Sequence, residues 1–148
     1  MSEADFYISS RGTAPRLGFS DTLLAGLAED GGLYVPEAWP SLAAAARQPL
    51  PYAEAAQAVM SPFVGADIAP GVLARLVAEA YAGFDHAEVA PLVEIGRDEW
   101  LLELFHGPTL AFKDLALQLL GRLFDHLLGE RKSRVTIVGA TSGDTGSA

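Results

Sequence analysis

The sequence predicts an α/β protein: a small, mainly helical N-terminal part, then the start of a domain with a parallel sheet. Three observations carry this. Between residues 70 and 82, Val72, Leu73, Leu76, Val77, Ala80 and Tyr81 recur in adjacent pairs four apart, which makes one apolar helical face. Residues 99–148 follow a strand–helix–strand–helix order, the signature of a parallel α/β arrangement. The run Arg134-Val135-Thr136-Ile137-Val138 is apolar and β-branched without alternation, as expected of a strand covered on both faces.

Taken in order, residues 6–11 read as a short strand, broken by Gly12 and Pro15. Ser20 is placed to cap a helix over 21–30, with Asp21 in its first turn and Leu23, Leu24, Leu27 and Ala28 as its stripe. Gly31-Gly32 supplies a stop, and Leu33-Tyr34-Val35 is extended up to Pro36. Residues 36–50 are a Pro- and Ala-rich connector with room for one helical turn. Pro51 and Pro70 each suit the first position of a helix, one running to about Met60 and one over 70–82. Residues 1–86 therefore read as one small unit. Beyond it, strands at 92–95 and 99–105 flank Gly96-Arg97-Asp98, a hairpin pattern. Leu115, Leu119, Leu123 and Leu127, with Leu120 and Phe124 beside them, mark a helix to about Leu128, and Gly129 is placed to end it.

Composition narrows the class. Of 148 residues, half are hydrophobic, enough for an ordinary core. The formal net charge of −9 argues against a nucleic-acid or anionic-membrane surface, both of which need a basic face. The absence of cysteine excludes disulfides, thiolate metal ligands and thiol nucleophiles. No metal site is expected. The acidic start Met1-Ser2-Glu3-Ala4-Asp5 lacks the pattern of a secretory signal, and no apolar run reaches membrane-span length, so a cytoplasmic protein is expected. The sequence stops at Gly146-Ser147-Ala148, where a helix is starting, so a strand–turn–helix unit is left unfinished and a fragment of something longer is expected.

Two stretches offer chemistry. Lys113 stands between an apolar turn, Leu110-Ala111-Phe112, and a helix start at Asp114. Such an apolar seam suits an amine that must react, although a lysine before a helix is also a common structural feature. The second stretch, Thr141-Ser142-Gly143-Asp144-Thr145-Gly146, follows the C-terminal end of the predicted parallel strand. Ligands bind at such ends in open α/β sheets, and free amides at a helix start attract a carboxylate or phosphate. The turn is either an anion cradle or a plain capped turn. It lacks the Gly-Lys-Ser/Thr ending of a nucleotide P-loop and the G-x-G-x-x-G dinucleotide pattern. A reactive lysine paired with an anion turn fits a Schiff-base enzyme acting on a carboxylate-bearing amine.

The segments Ser9-Ser10-Arg11-Gly12, Leu27-Ala28-Glu29-Asp30-Gly31-Gly32-Leu33-Tyr34-Val35-Pro36, Phe105-His106-Gly107-Pro108-Thr109-Leu110-Ala111-Phe112-Lys113-Asp114 and Gly139-Ala140-Thr141-Ser142-Gly143-Asp144-Thr145-Gly146-Ser147 together resemble threonine synthase. The resemblance extends over most of the chain; residues 37–90 match only in character. It implies a pyridoxal-phosphate lyase of the tryptophan-synthase β-type fold, fold type II. Residues 1–86 would be its N-terminal domain and 87–148 the first part of its catalytic domain. Such enzymes convert O-phospho-L-homoserine and water to L-threonine and phosphate. The resemblance gives Lys113 the role of carrying pyridoxal 5′-phosphate as an internal aldimine and then moving protons on the substrate. Thr141, Ser142, Gly143 and Thr145 would hold the substrate carboxylate. Asp144 would stand beside the cofactor's ring hydroxyl, where relatives often have Asn. Asp114 is expected to orient the loop rather than touch substrate, and His106 and Thr109 are equally suited to lining the site or to structure. A homodimer is compatible with the resemblance. The family's glycine-rich loop for the cofactor phosphate has no match in these residues, nor has the Ser/Thr facing the pyridine nitrogen. Weak cofactor binding and no turnover are therefore expected of the 148 residues alone. Two other readings are an eliminating phospho-lyase on a similar substrate and a non-catalytic anion-binding module.

Overall fold

The β-forming residues at the start of the chain find their partner across a loop. In the computed structural model, which describes residues 6–42 and 49–148, β1 (Tyr7–Ser9) pairs antiparallel with β2 (Tyr34–Pro36), with Ile8 opposite Val35. The Tyr7 amide and carbonyl also bond Leu17, and its hydroxyl donates to the Phe63 carbonyl at 2.7 Å. Helices α1 (Phe19–Ala25) and α2 (Tyr52–Val64) complete this part of the chain, and α3 (Pro70–Tyr81) follows. The chain divides into two compact units, Met1–Arg75 and Leu76–Ala148, the boundary falling within α3. The helical turn that the 36–50 connector has room for falls largely on residues outside those described.

Helix α1 is shorter than its sequence pattern, and Ser20 is not its cap. Gly18 takes the N-cap position, and the Asp67 carboxylate accepts the Ser20 amide at 2.7 Å, so the cap comes from 47 residues away. Gly26, at φ 69°, ends the helix, leaving Leu27 64 % exposed while Ala28 is buried. What replaces the predicted last turn is a hub on Asp30. Its carboxylate accepts from the Ser9 hydroxyl (2.7 Å), the Thr13 amide (3.1 Å) and hydroxyl (3.0 Å), and the amides of Ala14 (3.0 Å) and Gly32 (2.9 Å). These bonds, the Ser9 one foremost, hold the Asp30 carboxyl well below the usual carboxylate range. The Arg11 guanidinium closes over the loop by donating to the Asp30 carbonyl at 3.0 Å. A Cβ at Gly32 would overlap the Ser9 hydroxyl and lie 3.0 Å from Asp30 Oδ1. Gly32→Ala is thus expected to cost about 3 kcal/mol in urea unfolding. Gly71→Ala, in the first turn of α3, where an added Cβ meets nothing within 4 Å, should not destabilise.

Helix α2 runs past Met60 and includes Pro62, buried in its last turn. Proline removes only the amide that would bond the Ala58 carbonyl, a small loss so near the end. Gly65, at φ 59°, then caps the helix. Helix α3 matches its pattern: Leu73 is buried in the first unit, and Leu76, Val77 and Ala80 in the second.

In the second unit, β3 (Leu92–Gly96) and β4 (Glu99–Leu102) form the expected hairpin, with Asp98 at φ 59° in the turn. β4 ends three residues early, where its pairing partner β3 begins at Leu92. Helix α4 (Asp114–Arg131) buries Leu119, Leu123 and Leu127 as predicted. It does not stop at Gly129. Lys132 adopts the left-handed conformation and caps it instead, because its amide reaches the Gly129 carbonyl and the Ser133 amide reaches Leu128. A four-residue helix, α5 (Asp144–Ser147), ends the chain.

One fold expectation is corrected among the described residues. Residues 134–138 form no strand, and both sheets are two-stranded and antiparallel; there is no parallel sheet. A strand of this composition is held by neighbours on both edges. None lies alongside, so Ile137 and Val138 remain 79 % and 90 % exposed. The architecture is mixed α/β. No helix among the described residues is long and apolar enough to cross a membrane.

Candidate active site

The loop before α4 is built around a buried carboxylate. Asp114 has no solvent exposure. Its Oδ2 accepts the Thr109 amide and its Oδ1 the Thr109 hydroxyl, each at 2.8 Å. Gly107 packs directly on it: an added Cβ there would overlap the Asp114 Cβ and sit 2.5 Å from Oδ2. Leu110 is thereby held at φ 61°, a left-handed conformation that leucine rarely adopts, with its amide bonded to the Gly107 carbonyl at 3.1 Å. Lys113 ends this loop as the N-cap of α4, and its carbonyl accepts the Ala116 and Leu117 amides. Its side chain is half-buried, and Nζ stands 4.3 Å from the centroid of the Phe112 ring. Asp114 therefore orients the loop, as the sequence suggests, and both of its oxygens are engaged in doing so.

His106 anchors the other end of the loop. Nδ1 lies 2.8 Å from Asp85 Oδ1 and Nε2 2.7 Å from Glu103 Oε2, both donating when the ring is protonated, while the His106 carbonyl accepts the Asp85 amide. With both ring nitrogens committed, the imidazole serves as a clamp. Sequence reading missed both partners. Glu103 stands three residues away in the sequence, a signal that could have been used; Asp85 is 21 residues away, and no local pattern points to it. The hydrogen bond to Glu103, opposed by desolvation and reinforced by the hydrogen bond to Asp85 and the charges of both carboxylates, raises the His106 pKa above its ordinary value. The stabilisation from this raised pKa is complete below the unfolded value of about 6.5. It is lost as pH rises through the folded value. The urea midpoint should fall over that window in the wild type, and His106→Gln should remove this component of the slope.

Residues 139–147 carry the second set of predicted residues. Gly143 caps α5 at φ 138°, a conformation open to glycine alone, and its amide donates to the Thr141 hydroxyl at 3.2 Å. Gly146 packs on that hydroxyl, with 2.8 Å to an added Cβ. Ser142, Asp144 and Thr145 are exposed and make no side-chain hydrogen bond among the described residues. Thr145 lines a cavity of about 630 Å³ with Leu117, Leu120 and Phe124 of α4 and with Val135 and Ile137. Lys113 is not part of that lining, and no hydrogen bond joins its loop to the 141–146 turn among the described residues. The structure thus places Thr145 against the middle of α4 and Lys113 at its N-terminus.

Comparison with known proteins adds an independent line. Residues 6–81 match the profile described as threonine synthase N terminus. The chain is 59 % identical to threonine synthase of Pseudomonas aeruginosa, over 96 % of this chain and 31 % of that protein. It is 40 % identical to threonine synthase-like 2 of Rattus norvegicus, over 97 % of this chain and 30 % of that one. Among solved structures, PLP-bound threonine synthase from Brucella melitensis superposes with a TM-score of 0.90 at 55 % identity, over 95 % of this chain and 31 % of that chain. The chain thus spans about a third of the length of the curated relatives it matches.

Proposed function

The chain belongs to the threonine synthase family, and from that premise we propose that it carries the lysine half of a pyridoxal-phosphate site converting O-phospho-L-homoserine and water to L-threonine and phosphate. The observation that carries this reading is the delivery of Lys113 to the start of α4 by a loop locked on buried Asp114. The donor chemistry fits the cofactor: a primary amine ends a fixed loop, and a glycine at φ 138° begins a hydroxyl-rich turn. When bound, pyridoxal phosphate supplies an electron sink for charge developing on the substrate carbons. Lys113 holds the cofactor. Its amine would move protons between the substrate carbons, in a reaction where phosphate leaves the γ carbon and water adds at the β carbon. Thr141, Ser142, Gly143 and Thr145 bind the substrate carboxylate through hydroxyls and turn amides. Asp144 would stand beside the cofactor's ring hydroxyl and share or accept its proton.

In this reading residues 1–86 are the family's N-terminal domain, and 87–148 open a catalytic domain of fold type II. A cytoplasmic location and a homodimer accompany it. The 148 residues alone hold the cofactor weakly and do not turn over, because the phosphate-binding loop has no counterpart in them. A second reading is kept because the chain is also 40 % identical to a protein named threonine synthase-like 2. In it, phosphate is eliminated without hydration, and the product breaks down to a 2-oxo acid and ammonia. Product analysis with O-phospho-L-homoserine, on a protein of the relatives' length containing this chain, separates the two. L-Threonine supports the first reading; a 2-oxo acid with ammonia replaces it by the second, and release of neither product sinks both.

A further inference from the structure

A strained loop persists only where its surroundings over-determine it. The loop 107–113 holds a leucine at φ 61° and is fixed by three contacts that all converge on one side chain: the Thr109 amide, the Thr109 hydroxyl and the Gly107 backbone, all on Asp114. That side chain is fully buried, and among the described residues it makes no ion pair. Lys113 is its immediate neighbour in sequence, so whatever fixes Asp114 also fixes the point from which the Lys113 stem departs. The Lys113 amine is in turn held over the Phe112 ring, at 4.3 Å.

We propose that Asp114 is a positioning residue for Lys113, acting as a hydrogen-bond lock and not through its charge. This rests on the reading of Lys113 as the cofactor-bearing lysine. The chemistry of the two bonds distinguishes lock from charge. An asparagine carbonyl accepts the Thr109 amide, and its NH₂ donates to the Thr109 hydroxyl, which accepts as readily as it donates. Asp114→Asn therefore keeps the lock and removes the charge. Asp114→Ala removes both.

The chain has two lysines, Lys113 and Lys132, so each variant carries its own reference. In the 148-residue chain with ¹³C-labelled lysine, the ε-methylene of Lys113 should be shifted upfield by the Phe112 ring relative to that of Lys132. Trapping with pyridoxal phosphate and borohydride should favour Lys113 over Lys132 by roughly tenfold relative to the urea-unfolded chain, the scale on which orientation acts. In Asp114→Ala, both the upfield shift and the preference should collapse; in Asp114→Asn both should persist. Thr109→Val, which keeps the amide bond and loses the hydroxyl bond, should show intermediate values, and it carries the test if the alanine variant does not fold. A folded alanine or valine variant with wild-type shift and preference overturns the proposal. So does an asparagine variant as impaired as alanine, since charge would then be the agent. A wild-type chain showing the ring shift but no preference for Lys113 refutes the cofactor reading, and with it the positioning role.

Discussion

Lys113→Ala is expected to remove the reducible pyridoxal adduct from position 113. In a protein of the relatives' length containing this chain, it should lower threonine formation by about a thousandfold or more, the scale of a lost acid–base and covalent group. The reason lies in geometry as well as chemistry. The other lysine, Lys132, caps the far end of α4, whose 18 residues span about 27 Å at the usual rise. No side chain reaches across that distance, so Lys132 does not substitute for the lost amine. Labelling at Lys132 should be unchanged, which shows that the reagent is active. A small soluble amine should restore part of the turnover, because the function lost is an amine and not a scaffold. Turnover at the wild-type level in Lys113→Ala would sink the enzyme reading and favour a non-catalytic binding module.

Gly107→Ala is expected to destabilise the chain by about 3 kcal/mol, at the upper end of what overpacking costs. Gly107 is buried against a side chain that has no room to retreat: Asp114 is itself buried and tied by two hydrogen bonds. The added methyl must either displace Asp114, breaking its bonds to Thr109, or unwind the loop. A control of opposite sign is available in the adjoining helix. An added Cβ at Gly121 meets nothing within 4 Å, so Gly121→Ala should stabilise by roughly 0.5–1 kcal/mol through helix propensity alone. Urea unfolding of the two variants checks both. Equal midpoints for Gly107→Ala and wild type would show that the loop yields cheaply.

Much of this was legible in sequence, for physical reasons that differ by element. Helices α3 and α4 were readable because their buried residues repeat at helical spacing, and burial follows that spacing directly. The hairpin was readable from its Gly96-Arg97-Asp98 turn. Helix α1 was misjudged because its cap comes from Asp67, 47 residues away, and because Asp30 draws residues 26–32 into a hub. The Asp67 contact leaves no local pattern, and of the hub's bonds only the one from Gly32 does. The end of α4 was misjudged because glycine is a permitted, if costly, helix residue, and Lys132 took the left-handed position instead. The strand at 134–138 was inferred from residue type, but a strand exists only through its partners, and residue type does not supply them. At the site, the role of Asp114 in orienting the loop was legible because it adjoins a helix start. The His106 clamp was not, because one of its jaws lies far off in the sequence.

The Asp30 hub also bears on how the first unit comes together in time. All five bonds to its carboxylate close segments of at most 21 residues. Short closures forfeit little chain entropy, so these contacts can form before distant pairings such as the Asp67 cap. Substitutions around Asp30 would then act chiefly on the rate of refolding, whereas loss of the Asp67 cap would show mainly as faster unfolding.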